Sequence, residues 1–379
     1  MDFLFENFAL LTWKHLVMYG IGVTLIFLAI RKEYEPALLL PLGFGAILVN
    51  LPLSGALNQI MPAVGEVQGP IQWLFETGIE GSEIMPLLLF IGIGAMIDFS
   101  PIISRPVYFL FGASAHFGIF ACITLSVLLG FELRDAAAIG IIGAADGPTT
   151  ILVSQVLRSK YLGPITMAAY SYMSLVPIIQ PVTIKLLTSK KERRIRMTPI
   201  PGAEVPKSLK IIFPIAVTVV VGLISPAAVS LIGFLMFGNL IRECTVLDSL
   251  SEAAQKNLTN LITLLLGITV AFTLQAEKFI EIDTVKILLL GLFAFILDTA
   301  GGVIFVKALN IFLKKKINPM IGAAGISAFP MSARVIQKLA LEEDDQNFLL
   351  MHAVSANVSG QIASVAASGL VLSLIMRQL

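Results

Sequence analysis

Apolar runs of bilayer-spanning length recur along the whole chain. A transmembrane helix needs about 17–25 predominantly apolar residues to cross a hydrocarbon core of about 30 Å. Stretches of roughly that character occupy residues 13–30, 36–53, 84–100, 106–130, 164–187, 210–225, 226–241, 259–275, 285–311 and 347–376. Two further segments break the pattern, because residues 136–155 and 317–337 are apolar but interrupted by Gly, Pro and polar side chains. Such backbone persists at membrane depth only when buried in protein or lining a cavity, so both are expected to be re-entrant or broken helices. The pattern predicts an all-α integral membrane protein, a polytopic helix bundle. Arg31, Lys32 and Glu33 follow the first span where a small-residue cleavage site would stand, so this span reads as retained rather than as a secretory signal.

Composition sharpens this picture. Of 379 residues, 56% are hydrophobic and 13% charged, against about a quarter charged in soluble domains, and the mean hydropathy is +0.89. Water cannot solvate most of such a surface. A net charge of +1 gives no basic excess for nucleic acid. Cys122 and Cys244 lie in or beside apolar stretches with no CxxC or histidine-rich neighbour, which indicates packing rather than a disulfide or zinc. Orientation follows from Lys and Arg in short loops. None occurs from Glu33 to Ser104, and Glu66, Glu76, Glu80 and Glu83 fall between the second and third spans, so that loop is expected outside. Lys190, Lys191, Arg193, Arg194 and Arg196 place the loop 188–208 in the cytoplasm, and Lys314, Lys315 and Lys316 mark another such loop. The basic run is read as a topological anchor rather than an anionic-lipid site. Pro199, Pro201 and Pro206 make it a linker between two halves. The expected organisation is 1–83, N-terminal segments with the outer loop; 84–187, a first half; 188–208, the linker; 209–258, a linking hairpin; and 259–379, a second half.

The two broken segments are copies of one another. Ile139-Gly140-x-x-Gly143-x-x-x-x-Pro148 matches Ile321-Gly322-x-x-Gly325-x-x-x-x-Pro330 at an offset of 182 (321 − 139), and Gln155 matches Gln337 at the same offset. In the helices that follow, Met167-x-Ala169-x-Ser171 matches Met351-x-Ala353-x-Ser355 at an offset of 184 (351 − 167). Gly/Pro-interrupted segments in corresponding positions of two halves point to a midplane binding site in repeat-built transporters. Five candidate spans separate the copies, an odd number that favours inverted repeats, although residues 285–311 are long enough to conceal a hairpin.

The polar groups on this repeat carry the chemistry. Asp146, in Gly143-Ala144-Ala145-Asp146-Gly147-Pro148-Thr149-Thr150, is a carboxylate at a helix break in an apolar context. An acid at membrane depth costs about 2.5–3.5 kcal/mol on insertion scales. It is retained for an ion, a proton or a salt bridge, or it serves simply as an N-cap before Gly-Pro-Thr. The second copy has Ala328 there but offers Asn318, Ser327 and Ser332, and the following helices add Tyr172 and Asn357. One carboxylate with neutral oxygen donors suits a monovalent cation such as sodium better than a transition metal, while any one Asn or Ser taken alone is more often found bonding a neighbouring helix. Arg334 offers a planar fork for a carboxylate, or else anchors a helix end at the cytoplasmic interface. Asp98 is expected to cap a helix before Ser100-Pro101; Asp298 is a second buried acid without an assigned place; His15, His116 and His352 read as structural.

The stretches Gly143–Thr149, Asn318–Arg334 and Asn357–Ile362 closely resemble the beta subunit of the sodium-pumping biotin-dependent decarboxylases, a likeness running from about the third span to the C-terminus. That family includes oxaloacetate, methylmalonyl-CoA and glutaconyl-CoA decarboxylases. The resemblance implies a membrane subunit that decarboxylates carboxybiotin and exports sodium. Biotin would arrive as carboxybiotin on a biotin carrier protein or domain, not attached to this chain. A carboxyltransferase subunit and a small membrane-anchored gamma or delta subunit would complete an oligomeric complex in the cytoplasmic (inner) membrane of a bacterium or archaeon. Carried over by position, it assigns sodium binding and coupling to Asp146, Tyr172, Asn318, Ser327 and Asn357, close backbone approach to Gly322, and a functional role to Arg334. Catalytic work would fall to Asp146, Tyr172 and Arg334, with Arg334 holding the carboxylate and Tyr172 relaying a proton. The competing reading is a sodium-coupled carrier of an intact carboxylate. A membrane scaffold without activity is disfavoured, since broken and ionisable segments would only destabilise it.

Overall fold

A computed structural model describes residues 6–33, 36–61, 65–104, 106–197, 205–224 and 226–377. It is helical almost throughout. Among the described residues, five helices are long and apolar enough to cross a membrane: Trp13–Lys32, Tyr108–Leu128, Asp248–Leu274, Ile282–Phe312 and Leu350–Met376. Two bent pairs bring that number to seven: Pro70–Gly81 with Ile84–Met96, bent by 70°, and Leu162–Met173 with Leu175–Leu187, bent by 67°. In the second pair, Pro177 lacks the amide that would bond the carbonyl four residues earlier, which frees the backbone at Met173 to bend.

The structure departs from the ten expected spans in particular places. Residues 36–53 yield only Pro36–Val49, 14 residues, about 21 Å at helical rise, before the chain turns at Asn50. The outer loop is not plain loop. It contains a small antiparallel hairpin, Gln59–Met61 with Gly65–Val67, in which Ile60 faces Glu66, and the Pro70–Phe75 helix, started by Pro70 at its first turn. Asp98 does cap a chain break, its Oδ1 accepting the Ser100 amide at 2.9 Å. Of the linker, Pro199 and Pro201 lie outside the described residues.

Ile282–Phe312 is a single uninterrupted helix of 31 residues, with no hairpin. It runs against both broken segments, and glycine sets each approach. A Cβ on Gly143 would lie 2.7 Å from the Ala294 side chain, and one on Gly322 would lie 1.9 Å from the Gly302 carbonyl oxygen. The long helix therefore meets the second segment backbone to backbone. Leu16, Phe27, Val219, Leu223 and Leu289 are among many large apolar side chains left exposed on the periphery, the outward face lipid would cover.

Candidate functional site

Both broken segments are re-entrant, and their bases lie at opposite ends of the long helix: Tyr161, after the first, bonds Asp283 at the helix start, whereas Asn310 near the helix end bonds the Ile317 carbonyl before the second. The first descends as Leu133–Ile141, turns through Ile142–Ala144 and returns as Gly147–Val156. Its two ends are tied together, since Ser159 Oγ donates to Asp135 Oδ1 at 2.6 Å. The second begins as Met320–Ala323 and returns as Met331–Glu343. Its ends are held by the loop after Leu162–Leu187: Asn318 Nδ2 donates to the Arg193 carbonyl at 2.8 Å, and Arg193 Nη2 pairs with Glu343 at 2.6 Å. The tips meet in the interior, where Ser327 donates from its amide (3.2 Å) and its hydroxyl (2.8 Å) to the Ala144 carbonyl. Inverted repeats touching at their breaks place irregular backbone inside protein, as membrane depth requires.

Asp146 stands at this meeting point and is 4% exposed. It is the N-cap of Gly147–Val156: Oδ1 accepts the Thr149 amide at 3.3 Å, while Oδ2 accepts the Thr149 hydroxyl at 2.7 Å and the Ser364 hydroxyl at 3.1 Å. Capping and ion binding are not exclusive here. The preceding Ala145 is left-handed, φ 53°, a conformation costly for a side chain-bearing residue and one that turns the chain sharply at the tip. Asp146 and Ser327 line one cavity of about 160 Å³, together with Tyr170 and Gln361.

Helix Leu350–Met376 fastens the second tip. Asn357 Nδ2 donates to the Ile326 carbonyl at 2.7 Å, Gln361 Nε2 donates to the Ser327 carbonyl, and the absent side chain of Gly360 lets the Gly325 carbonyl approach. The Asn357 Oδ1 is buried without a hydrogen-bond partner among the described residues.

The other sequence-derived candidates lie elsewhere. Tyr172 points to the opposite face of its helix, where its hydroxyl donates to the Leu288 carbonyl and its ring packs near Gly291 and Ile142. The Asn318 amide is spent on the Arg193 and Ile195 carbonyls (2.8 and 2.9 Å), and its Oδ1 accepts the Met320 amide at 3.1 Å. Gly322 allows close approach, but to the Ile282–Phe312 helix. Arg334 is exposed on the first turn after the second tip, in a cleft of about 540 Å³ shared with Gln337, Lys338, Leu341, Glu342 and Leu350. No acid pairs with it among the described residues. The structure thus joins Asp146, Ser327 and Asn357 at the tips and holds Tyr172, Asn318 and Arg334 apart from them.

Three groups at the tips escaped the sequence reading. Ser364 and Thr149 bond Asp146, and Tyr170 lines the cavity. Ser364 had a usable signal: Asn357, Gln361 and Ser364 recur at i, i+4 and i+7, one face of a helix. Asp298 also finds its place. Fully buried on the long helix, its Oδ1 accepts the Gly118 amide at 2.5 Å and caps helix Phe117–Leu128, while its Oδ2 lies over Gly143 without a hydrogen-bond partner. The basic run does more than orient the chain. Arg193 is 6% exposed, Nη1 donates to the Thr188 carbonyl at 2.5 Å, and its own carbonyl accepts both Asn318 and Asn347. Arg196 grips Asp344 with two bonds of 2.7 and 2.8 Å.

Two re-entrant segments meeting beside a buried carboxylate are the architecture of a repeat-built membrane protein with a site at its centre. Residues 14–375 match the family model for the Na+-transporting oxaloacetate decarboxylase beta subunit. The chain belongs to that family. It is 45% identical to the methylmalonyl-CoA decarboxylase subunit beta of Veillonella parvula, over 98% of this chain and 95% of the relative. It is equally 45% identical to the glutaconyl-CoA decarboxylase subunit beta of Acidaminococcus fermentans, over 98% and 96%. To the oxaloacetate decarboxylase beta chain 2 of Salmonella typhimurium it is 43% identical, over 95% of each. It is accordingly the membrane subunit of a multisubunit biotin-dependent decarboxylase, and it resides in the cytoplasmic membrane.

Proposed function

We propose that this subunit releases CO2 from carboxybiotin at its cytoplasmic face and uses that step to move sodium outward past Asp146. The observation that carries the reading is the contact of the two re-entrant tips, Ser327 on Ala144, beside a buried carboxylate that lines a cavity of about 160 Å³. Sodium is the cargo. The carboxylate, the Ser327 hydroxyl, the Asn357 Oδ1 and tip carbonyls are hard oxygens suited to it. Carboxybiotin is presented by a biotin carrier protein or domain, charged by a carboxyltransferase subunit, with a small gamma or delta subunit completing the complex. In the reaction the bond between the ureido nitrogen and the carboxylate carbon breaks, its electron pair stays on nitrogen, and nitrogen takes up a proton. Arg334, exposed and without an ion pair among the described residues, would hold the N-carboxylate of carboxybiotin by its bidentate fork until that group leaves as neutral CO2. Which acid or acyl-CoA is used belongs to the carboxyltransferase.

Exporting one sodium ion against the membrane potential costs about 2.3 kcal/mol per 100 mV, so decarboxylation without the ion must be blocked. Two conformations with alternating access to the tips meet that requirement. The test uses the complex in proteoliposomes. CO2 release from a carboxylated carrier is expected only with sodium present, accompanied by sodium movement. Uptake of an intact carboxylic acid by this chain alone, with no carrier present, would overturn the reading in favour of a secondary transporter.

A further inference from the structure

The geometry points to Tyr170, rather than Tyr172, as the tyrosine hydroxyl of the cation site at Asp146. The inference rests on the reading of Asp146 as the sodium carboxylate. Residues two apart on an α-helix point about 200° from one another, so only one of these tyrosines can share the cavity of Asp146. Tyr172 faces the long helix and gives its proton to the Leu288 carbonyl. Tyr170 is 1% exposed and lies across the start of the Gly147–Val156 helix. A Cβ on Gly147 would fall 2.5 Å from Tyr170 Cζ and 2.6 Å from its Cε1. The hydroxyl-bearing end of the ring therefore sits on the residue that follows Asp146, and Gly147 makes room for it. The ring also lines the cavity that Asp146, Ser327 and Gln361 share.

A phenol oxygen suits this place. It adds a neutral ligand beside a single carboxylate, raising affinity for a monovalent cation without a second negative charge. The apolar ring fills the space above Gly147 whether or not the hydroxyl is present. Tyr170→Phe consequently removes one oxygen and leaves the packing.

The test compares Tyr170→Phe with the parent complex in proteoliposomes. The sodium concentration for half-maximal CO2 release is expected to rise about tenfold, with the rate at saturating sodium within about twofold of the parent. As a measurement independent of turnover, the rise in Tm that sodium gives the purified full-length subunit in detergent is expected to need about tenfold more sodium. An unchanged half-maximal sodium concentration together with an unchanged sodium-induced Tm shift would overturn the role of Tyr170. An Asp146→Asn arm separates the two levels. If that variant loses sodium dependence while Tyr170→Phe is silent, Tyr170 alone is refuted; if Asp146→Asn keeps normal sodium dependence, the carboxylate reading falls and takes Tyr170 with it.

Discussion

The two re-entrant segments share a Gly-x-x-Gly frame and a proline, yet they use the break differently. In the first, the break presents an acid: Asp146 caps its own helix through the Thr149 amide and hydroxyl. In the second, Ala328 holds the matching position, fully buried, and the tip is secured from outside itself by Asn357 and Gln361 on its backbone carbonyls. Each segment also takes bonds from the helix of the other half. Ser364, after the second segment, bonds Asp146 of the first, while Gln180, which matches it at the 184 offset (364 − 180), bonds Ser332 and the Ala323 carbonyl of the second. The pair teaches that duplication supplies two sockets and that a charge is tolerable in only one. Two carboxylates at touching tips would repel in a medium of low dielectric.

The largest expected effect breaks that asymmetry. Asp146→Asn keeps a capping side chain, so the protein should insert and fold, but sodium-dependent CO2 release and sodium movement should both vanish; retention of either at the parent rate speaks against the assignment. Adding Ala328→Asp to that variant should not restore activity, since Gln180 is directed at Ala323 and Ser332 and the Ser364 bond has no counterpart at residue 328. Recovery of sodium pumping in the double variant would mean that the tips are interchangeable.

Next comes the glycine contact on which the second segment rests. Gly322→Ala places a methyl on the Gly302 carbonyl, and overpacking of this kind costs about 1–3 kcal/mol. Lowered Tm of the detergent-solubilised subunit should register it. A Tm equal to that of the parent would show that the two backbones can separate freely.

The clasp at 189–197 distinguishes the segments further, because it holds the second through guanidinium–carboxylate pairs, whereas the first meets the loop before Ile84–Met96 through Gln155 on the Glu80 carbonyl. The Arg193 guanidinium bonded to Glu343 holds that carboxyl below the ordinary range. With a folded-state value below the unfolded one, the clasp is at full strength above the ordinary carboxylate range and weakens as pH falls through the lowered value. Hydrogen exchange at residues 189–197, corrected for its intrinsic pH dependence, should therefore stay protected from neutral pH down past the usual carboxylate titration and open only below it. Opening on a rise in pH from neutrality would contradict the pairing. Arg193→Gln should expose the same stretch at neutral pH and loosen Asn318.

The smallest effect belongs to Ser364→Ala. It removes one of three side-chain and backbone donors to Asp146, so the half-maximal sodium concentration should shift about two- to fivefold, in line with about 0.5–1 kcal/mol for one neutral hydrogen bond. A change as large as that of Asp146→Asn would show that Ser364, not the acid, governs the site.

What could be read along the chain was what the chain decides locally. Apolar length set most of the helices, the Gly/Pro frame set the two breaks and their kinship, and Asp-Gly-Pro-Thr set the cap at Asp146, because each depends on residues within a few positions of one another. The shortened helix at Pro36–Val49 and the helix inside the outer loop were lost because composition there is apolar in both cases and only packing says where the chain turns. Rotation about a helix axis is not a local property at all. Tyr170 and Tyr172 are chemically alike and two residues apart, and the close approach of Gly147 to one ring and of Gly291 to the other selects which faces the tips. Depth is likewise global: Asn318 and Ser327 lie nine positions apart on one re-entrant segment, yet one is bonded to the Arg193 carbonyl at its base and the other to Ala144 at its tip. Asp298 shows the same limit, since its role arises from the crossing of three elements, its own helix, the start of Phe117–Leu128 and the turn at Gly143, whose distance along the chain carries no trace of their contact.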